Sequence, residues 1–272
     1  MANDTPIRVG HSADPDDAFM FWAIESGRID TRGLELEQVV SDIQTLNRWA
    51  VEGKLEVTAL SMAAYPAVAD RYVLLPHGAS MGMGYGPIVV GREELTIEDL
   101  RYCEIAIPGL MTTAYLGLRL ALGGNLSVRE MPFDQILDEV VSERVEAGLL
   151  IHEGQITYAA AGLHKALDLG EWWMEETGLP LPLGVNVARR DLGDRLQDVS
   201  AVLSEAINYG LDHRDEALEY ARQFGRGIDR ETADRFVEMY VNELTRDYGE
   251  LGRRAVDELL RRGGTGVTAT YA

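Results

Sequence analysis

The chain has 272 residues, 46% of them hydrophobic and 26% charged, which is typical of a globular protein with one large or two medium domains. Its 45 acidic and 25 basic side chains give a formal net charge of −20, which argues against partners such as nucleic acid or an anionic membrane surface. No apolar run is long enough to span a bilayer, and the opening M-A-N-D-T-P lacks the basic and apolar regions of a signal peptide. The single cysteine, Cys103, excludes an internal disulfide. We therefore expect a cytoplasmic protein.

The first part of the chain alternates between strand and helix patterns. Strands are predicted at residues 7–10, 34–40 and 57–60, and helices at 18–26, 42–52 and 62–70. Gly53 follows the second helix as its stop signal. This rhythm indicates parallel strands joined by right-handed crossovers.

The loop after the first strand reads H-S-A-D-P-D-D, residues 11–17. Ser12, Asp14 and Asp16 are all suitable helix N-caps, and acids in a first turn complement the helix dipole. Alternatively, His11, Ser12 and Asp16 line a pocket at the carboxyl end of the strand. A metal site is a third possibility, because aspartates supply hard oxygen ligands. Their spacing matches no known metal-binding loop, so we predict no metal.

Residues 78–87 form a glycine-rich segment, G-A-S-M-G-M-G-Y-G-P, followed by a strand at 88–90. Its glycines superficially resemble a phosphate-binding loop. However, they precede a strand instead of joining a strand to a helix, so the dinucleotide fingerprint is not met. The segment therefore indicates no nucleotide cofactor and favours a flexible rim or an interdomain crossing.

A second alternating cycle follows, and helices close the chain. Strands are predicted at 104–107, 128–131, 149–151 and 184–188, and helices at 95–100, 114–122, 133–141, 192–212, 214–223, 230–244 and 248–262. Thr96 is placed to cap the helix at 95–100. The last strand returns the chain to the first domain.

Two threonines, Thr112 and Thr113, lead into the helix at 114–122. Thr112 as a plain N-cap is the simpler interpretation. Alternatively, threonine hydroxyls and free amides at a helix start form a site for an anion or a carboxylate.

The strand at 149–151 runs directly into His152 and Glu153. Ligands collect at the carboxyl ends of strands in open α/β sheets, and histidine suits proton transfer near neutral pH. The sequence therefore makes His152 a candidate general base, against the alternative of a surface histidine that ends a strand.

Trp172 and Trp173 stand beside the proline-rich run L-P-L-P-L at 179–183. Aromatic and proline side chains in this concentration can wall a flat apolar ligand, or they can pack in a core between domains. Periodicity does not choose between the two interpretations.

Taken together, the elements predict a periplasmic-binding-protein type II architecture in the α/β class. Two lobes, residues 1–90 with 186–272 and residues 91–185, would be joined by two crossovers. A ligand would lie in the central cleft between them. The oligomeric state is not predicted.

Several stretches, in matching order along most of the chain, are similar to the 1,4-dihydroxy-6-naphthoate synthases of the futalosine route to menaquinone. They are D-I-Q-T-L-N-R-W-A-V-E-G-K-L (42–55), L-S-M-A-A-Y (60–65), G-P-I-V-V (86–90), I-P-G-L-M-T-T-A-Y (107–115), E-A-G-L-L-I-H-E (146–153), D-L-G-E-W-W-M-E-E-T-G-L-P-L-P-L-G (168–184) and A-R-R-D-L-G (188–193).

This resemblance implies a small aromatic carboxylate or nucleoside-derived substrate. It implies an enzyme that opens cyclic dehypoxanthinyl futalosine by carbon–carbon cleavage and releases the dihydroxynaphthoate without a cofactor. It assigns the role of general base to His152. It also implies substrate contacts at Ala59, Leu60, Ser61, Thr112, Thr113 and Ala114, to which the loop adds Ser12 and Asp16.

The chain departs from the family pattern at two places. The first loop usually reads S-P-C-P-N-D, whereas residues 12–17 read S-A-D-P-D-D, so Asp14 replaces a cysteine and Asp16 an asparagine. An ionised aspartate accepts hydrogen bonds but cannot donate them, so ligand contacts there differ. Ala59 stands where the family has a lysine, which removes a positive partner for a carboxylate.

Two alternatives to this activity fit the same architecture. One is a non-catalytic solute-binding protein, and the other is a related menaquinone-pathway enzyme such as the chorismate dehydratases. The matches D-L-G-E-W-W and L-P-L-P-L-G favour the naphthoate synthase branch over the second.

Overall fold

The structure, a computed structural model, describes residues 5–225 and 229–272. Its strands are β1 Ile7–His11, β2 Leu36–Val40, β3 Val57–Ser61, β4 Tyr72–Leu74, β5 Ser80–Gly82, β6 Ile88–Gly91, β7 Glu104–Ile107, β8 Ser127–Glu130, β9 Ala147–Leu150, β10 His164–Asp168 and β11 Leu181–Arg189. They form two sheets. The first has the order β2-β1-β3-β11-β4, with β5 also paired to β11, and the second has the order β10-β6-β9-β7-β8.

Helices connect and cover these sheets. They are α1 Pro15–Glu25, α2 Ile43–Glu52, α3 Ile97–Leu100, α4 Thr113–Leu122, α5 Phe133–Val141, α6 Gly154–Thr157, α7 Leu169–Thr177, α8 Arg195–Asp212, α9 Arg214–Ala221, α10 Arg230–Tyr240, α11 Glu243–Arg246 and α12 Gly249–Arg262. Short 3₁₀ helices occur at Met62–Ala67, Arg190–Leu192 and Arg222–Phe224. Among the helices of the described ranges, none has both the length and the apolar character needed to cross a bilayer.

We call the first sheet and the helices packed on it the first lobe, and the second sheet with α3 to α7 the second lobe. In the first, β1 pairs in parallel with β2 and β3, and in the second, β7 pairs in parallel with β8 and β9. These are the pairings that the alternation of strands and helices predicts. The lobe bounds 1–90 with 186–272 and 91–185 stay a prediction.

The chain passes between the sheets twice. It leaves β5 at Gly82 and enters the second sheet at Ile88, and it returns from α7 to β11 between Thr177 and Leu181. The first passage is the glycine-rich segment, in which a Cβ atom on Gly82 would lie 2.0 Å from the Tyr85 carbonyl oxygen. The tight backbone approach explains the glycine at this position.

Two large apolar clusters stabilise the fold. One links the lobes, with residues such as Leu74 and Leu181 from the first sheet, Leu149 from the second, and Trp173 from α7. The other packs α1 against the first sheet and the helices α8 and α9. Because the first cluster spans both sheets, the space between the lobes has a fixed apolar floor.

Several predicted boundaries differ from the structure, and three of the differences have a clear physical reason. Helix α1 begins at Pro15, three residues before the predicted start, because proline has the backbone angle of a first helical turn. The predicted helix at 62–70 is a 3₁₀ helix containing Pro66, which lacks the N–H that an α-helix needs there. The helix predicted at 230–244 ends at Tyr240, and a new capping box at Asn242 starts α11.

Candidate active site between the lobes

A cleft between the lobes contains about 700 Å³ of empty space, a volume that includes solvent at its open side. Both lobes and the connecting strand β11 contribute to its wall. The sequence-predicted site residues on this wall are Ser12, Asp16, Ala59, Ser61, Thr112, Thr113, Ala114 and His152. The structure therefore brings together residues from the ends of β1, β3 and β9 and from the start of α4.

Leu60 is the exception among the predicted site residues. Its side chain is fully buried in the apolar cluster that links the lobes, and it is not part of the cavity wall. Side chains alternate between the two faces of a strand, so Ala59 and Ser61 face the cavity while Leu60 faces the core. A substrate contact at Leu60 stays a prediction, and such a contact would have to use its backbone.

His152 follows β9 in an unusual backbone conformation, with φ at +55°. This left-handed region is costly for residues other than glycine, and such strain concentrates at functional sites. The imidazole is 14% exposed and packs edge-on against Phe133 of the second lobe at 4.6 Å and Phe236 of α10 at 6.3 Å between ring centroids. The ring is thus held between two lobes and is not the surface histidine of the alternative interpretation.

The partner of His152 across the cleft is Asp14. The imidazole Nε2 lies 3.3 Å from the Asp14 Oδ2, and Asp14 is almost completely buried. Nε2 makes no aligned hydrogen bond, so this contact is electrostatic. Asp14 occupies the N-cap position of α1, but its side chain makes no capping hydrogen bond. The capping interpretation is therefore wrong for Asp14.

Two further carboxylates lie beside this pair in the first turn of α1. Burial, together with the charges of Asp17 and Asp14, raises the pKa of Asp16 to about 7, against the charge of His152, which lowers it. Burial also raises the pKa of Asp17 to about 6, against hydrogen bonds from Ser12, whose N–H donates to the Asp17 Oδ2 at 2.6 Å. Asp17 thus fixes the loop after β1 through its hydrogen bond with Ser12, and Asp16 lies on the cavity wall.

Ser61, at the end of β3, is held in place by Asn47 of α2. The Asn47 side-chain N–H donates to the Ser61 hydroxyl at 3.0 Å, and the Ser61 backbone N–H donates to the Asn47 Oδ1 at 2.8 Å. The serine oxygen is used as an acceptor, so its own proton can be donated to a ligand.

The two threonines at the start of α4 have different partners. The Thr112 hydroxyl donates to the Gly109 carbonyl and accepts from the Tyr115 N–H, which makes Thr112 the N-cap. The Thr113 hydroxyl donates to the Leu183 carbonyl on β11 at 2.7 Å. Both hydroxyls are thus bound within the protein. Helix geometry leaves the backbone N–H groups of Thr113 and Ala114 without an intrahelical acceptor, so the amides can bind an anion.

Sequence reasoning missed several residues on the cavity wall, among them Asp17, Ser80, Gln155, Asn186, Phe236 and Tyr240. Gln155 is fully satisfied when its oxygen accepts from the His152 backbone N–H at 3.0 Å and its nitrogen faces the Gly86 carbonyl. The Tyr240 hydroxyl lies 2.6 Å from the Gln155 side chain. These residues carry no local motif, because they come together only through packing of distant elements.

Two other expectations are corrected. Trp172 and Trp173 do not line the cavity, and Trp173 is fully buried with its indole N–H donating to the Pro180 carbonyl at 3.0 Å. The core interpretation holds for this residue. His11 also lies off the cavity wall, because its ring stacks on Phe21 and its Nδ1 donates to the Ser12 carbonyl.

Glu130 makes a further polar contact between the lobes. Glu130 at the end of β8 accepts from the Arg48 guanidinium at 2.6 Å and from the Gln44 side chain at 3.1 Å, both on α2. The bridge holds the second lobe against the first.

The chemistry of the site is that of acid–base groups in a largely apolar cavity. Across residues 5–225 and 229–272, no group of three or more histidines, cysteines or acids is arranged to hold a metal ion. The described cavity wall contains two carboxylates and one imidazole but no lysine or arginine. Such a site can bind a small molecule, remove a proton and stabilise the charge that results.

Comparison with known proteins identifies close relatives. Residues 7–265 match a family model described as menaquinone biosynthesis. A 1,4-dihydroxy-6-naphthoate synthase from Thermus thermophilus is 46% identical over 255 residues, covering 93% of this chain and 92% of that protein. A crystal structure of a protein from Archaeoglobus fulgidus is 47% identical with a TM-score of 0.92, covering 96% of this chain and 98% of that one.

Distant structures extend the similarity of fold. The alkanesulfonate-binding protein from Xanthomonas axonopodis pv. citri, bound to MOPS, superposes with a TM-score of 0.71 at 14% identity and covers all of both chains. This likeness confirms the periplasmic-binding-protein-like fold. At such low identity it carries no information on the ligand of this chain.

Proposed function

Because this chain belongs to the menaquinone biosynthesis family, we propose that it is a 1,4-dihydroxy-6-naphthoate synthase with His152 as its general base. The reaction is the carbon–carbon cleavage of cyclic dehypoxanthinyl futalosine to 1,4-dihydroxy-6-naphthoate, in the cytoplasm. The observation that carries the proposal is the position of His152, which lies between the lobes on the wall of the cavity and faces Asp14. The lobes 1–90 with 186–272 and 91–185 close around the substrate.

His152 removes a proton from the substrate. The Asp14 carboxylate next to Nε2 favours the imidazole tautomer with its proton on that nitrogen, which leaves the lone pair of Nδ1 to accept the substrate proton. Asp14 also stabilises the positive charge that the imidazole gains. Asp14 is thus a positioning residue, and His152 is the catalytic residue.

The carboxylate of the substrate binds at the start of α4. The N–H groups of Thr113 and Ala114 lie at the positive end of the helix dipole, and the Ser61 hydroxyl donates a further hydrogen bond. These neutral donors replace the lysine that is missing at Ala59. Phe236 and Ile151 supply apolar surface on the cavity wall for the fused rings.

The test is incubation of the purified protein with cyclic dehypoxanthinyl futalosine, with the naphthoate followed by absorbance and mass. We expect turnover by the wild type and none by His152→Ala, which still binds the substrate in calorimetry. His164→Ala is the matched control, because His164 is exposed on β10 and distant from the cavity wall. Unchanged turnover in His152→Ala would disprove the base assignment, and binding without any conversion by the wild type would indicate a solute-binding protein.

A further inference from the structure

Asp16 has one carboxylate oxygen with a partner and one without. Its Oδ2 accepts a hydrogen bond from the Ser80 hydroxyl at 3.2 Å. Its Oδ1 is buried and has no hydrogen-bond partner, although the side chain lies on the cavity wall and is only 8% exposed. Buried polar atoms in native proteins are nearly always paired, so an orphaned oxygen at a cavity indicates a ligand.

The surroundings of Asp16 disfavour a negative charge. Asp14 and Asp17 face it from its own loop and helix, His152 faces it from the second lobe, and the Tyr240 hydroxyl faces it from α10. Of these groups only the imidazole can carry a positive charge, and Asp14 already lies beside its Nε2. A second ionised carboxylate in this space would be buried without a counter-ion, which is costly.

The same surroundings would repel an anionic substrate. No arginine or lysine is present on the part of the wall that the structure describes. An ionised Asp16 would place like charges close together in a buried space. A neutral Asp16 removes this repulsion and adds a donor, because a protonated carboxyl carries one O–H.

We propose that Asp16 acts as a neutral carboxylic acid, with its proton on Oδ1, and donates a hydrogen bond to the substrate oxygen on which negative charge develops. This inference rests on the proposed function, since it assumes a substrate that loses a proton to His152. The proton lies on Oδ1 because Oδ2 accepts from Ser80.

The neighbouring carboxyl groups of Asp14 and Asp16 thus have different roles. Asp14 supports the base, while the neutral Asp16 donates to the oxyanion. Donors aimed at developing charge in a water-poor cavity are a large source of rate acceleration. Carboxyl groups in different environments can divide acid and base roles in this way. The raised pKa of Asp16, about 7, supports this assignment because it keeps the neutral form populated near neutral pH.

The first test measures binding of 1,4-dihydroxy-6-naphthoate by anaerobic calorimetry from about pH 6 to about pH 9, around the Asp16 pKa of about 7. In the wild type, we expect affinity to fall about tenfold per pH unit above that pKa, because the donor proton is lost. In Asp16→Asn, whose amide donates at every pH, affinity should stay within about threefold of the wild-type maximum and lose this dependence.

Asp17→Asn is the matched control, since it removes one charge from the adjacent position. It should keep the pH dependence but move its midpoint to lower pH, because one negative neighbour of Asp16 is gone. The same pH dependence in Asp16→Asn and wild type would overturn the inference, as would a loss of affinity above about hundredfold at every pH.

The second test separates this inference from the proposed function. Turnover of cyclic dehypoxanthinyl futalosine is measured over the same pH range, and the alkaline decline of kcat/KM should be absent in Asp16→Asn. A wild type that binds the naphthoate with the expected pH dependence but does not turn over would refute the proposed function alone. Turnover with an alkaline decline that persists in Asp16→Asn would refute the inference alone.

Discussion

The imidazole of His152 in the second lobe lies 3.3 Å from the carboxylate of Asp14 in the first lobe. His152 stands at the end of β9, and Asp14 stands in the loop after β1. The proposed base and its positioning residue thus come from opposite sides of the cleft. The pair therefore forms a contact between the two lobes across the cleft.

Replacing Asp14 by asparagine tests the role of this pair. The variant keeps the shape of the side chain but loses the charge that supports the imidazole, so we expect kcat to fall by about 10- to 100-fold with little change in KM. Asp14→Glu should restore part of the rate, and a wild-type kcat in Asp14→Asn would contradict the role.

Asp16 makes the stability of the protein depend on pH. Its pKa is about 7 in the folded protein against 3.8 for a free aspartate, so the folded state binds the proton more tightly than the unfolded state. The stabilisation from this group is complete below about pH 4 and is lost as the pH rises through about 7. Asp16→Asn should therefore melt a few degrees above the wild type at about pH 8, and this advantage should vanish at about pH 4.

Both proteins are melted by calorimetry in the same series of buffers, so that the contributions of all other titrating groups cancel in the difference. Asp70→Asn, at an exposed turn, is the control and should show no pH-dependent difference. A constant offset between Asp16→Asn and wild type at all pH values would show that the pKa of Asp16 does not differ between the folded and the unfolded protein.

At position 152 the protein should be less stable with alanine than with glycine, because of the backbone conformation. At φ +55°, glycine is unstrained, whereas alanine costs about 1 kcal/mol. His152→Gly should therefore melt a few degrees above His152→Ala, while both lack turnover. In the right-handed helix α8 the order should reverse, with Glu205→Gly melting below Glu205→Ala. The same order at both sites would exclude backbone strain at His152.

The bridge from Glu130 to Arg48 and Gln44 should help to hold the lobes closed. Both charged partners are partly exposed, so the expected effect is small. Glu130→Gln should raise KM by about two- to fivefold and change kcat less, with a difference that shrinks at high salt. Glu104→Gln is the control, because its partner Arg129 belongs to the same lobe. An equal rise of KM in both variants would argue against a role in closure.

Local signals in the sequence determined most of the elements. Thr96 caps its short helix with a full capping box, and Gly53 ends α2 in the left-handed conformation, as the residue types predict. The alternation of strands and helices predicted parallel pairing within each lobe. The pattern at the end of β9 also made His152 a candidate for the site. These features depend on neighbours in the chain, so the sequence alone contains them.

Tertiary packing decided what the residues do. The sequence offered Asp14 as a helix cap, but packing placed it against His152, and Asp16 was placed against Ser80 at a separation of 64 residues. Similarly, Trp173 was equally suited to a ligand wall or a core until α7 packed it inside. A side chain's local preferences are worth about 1 kcal/mol. Burial in the folded protein raises the pKa of Asp16 from 3.8 to about 7, which corresponds to a free energy several times larger. Contacts between distant elements therefore set the chemistry of this site. Sequence periodicity depends only on residues that are near neighbours in the chain, so it could not predict these contacts.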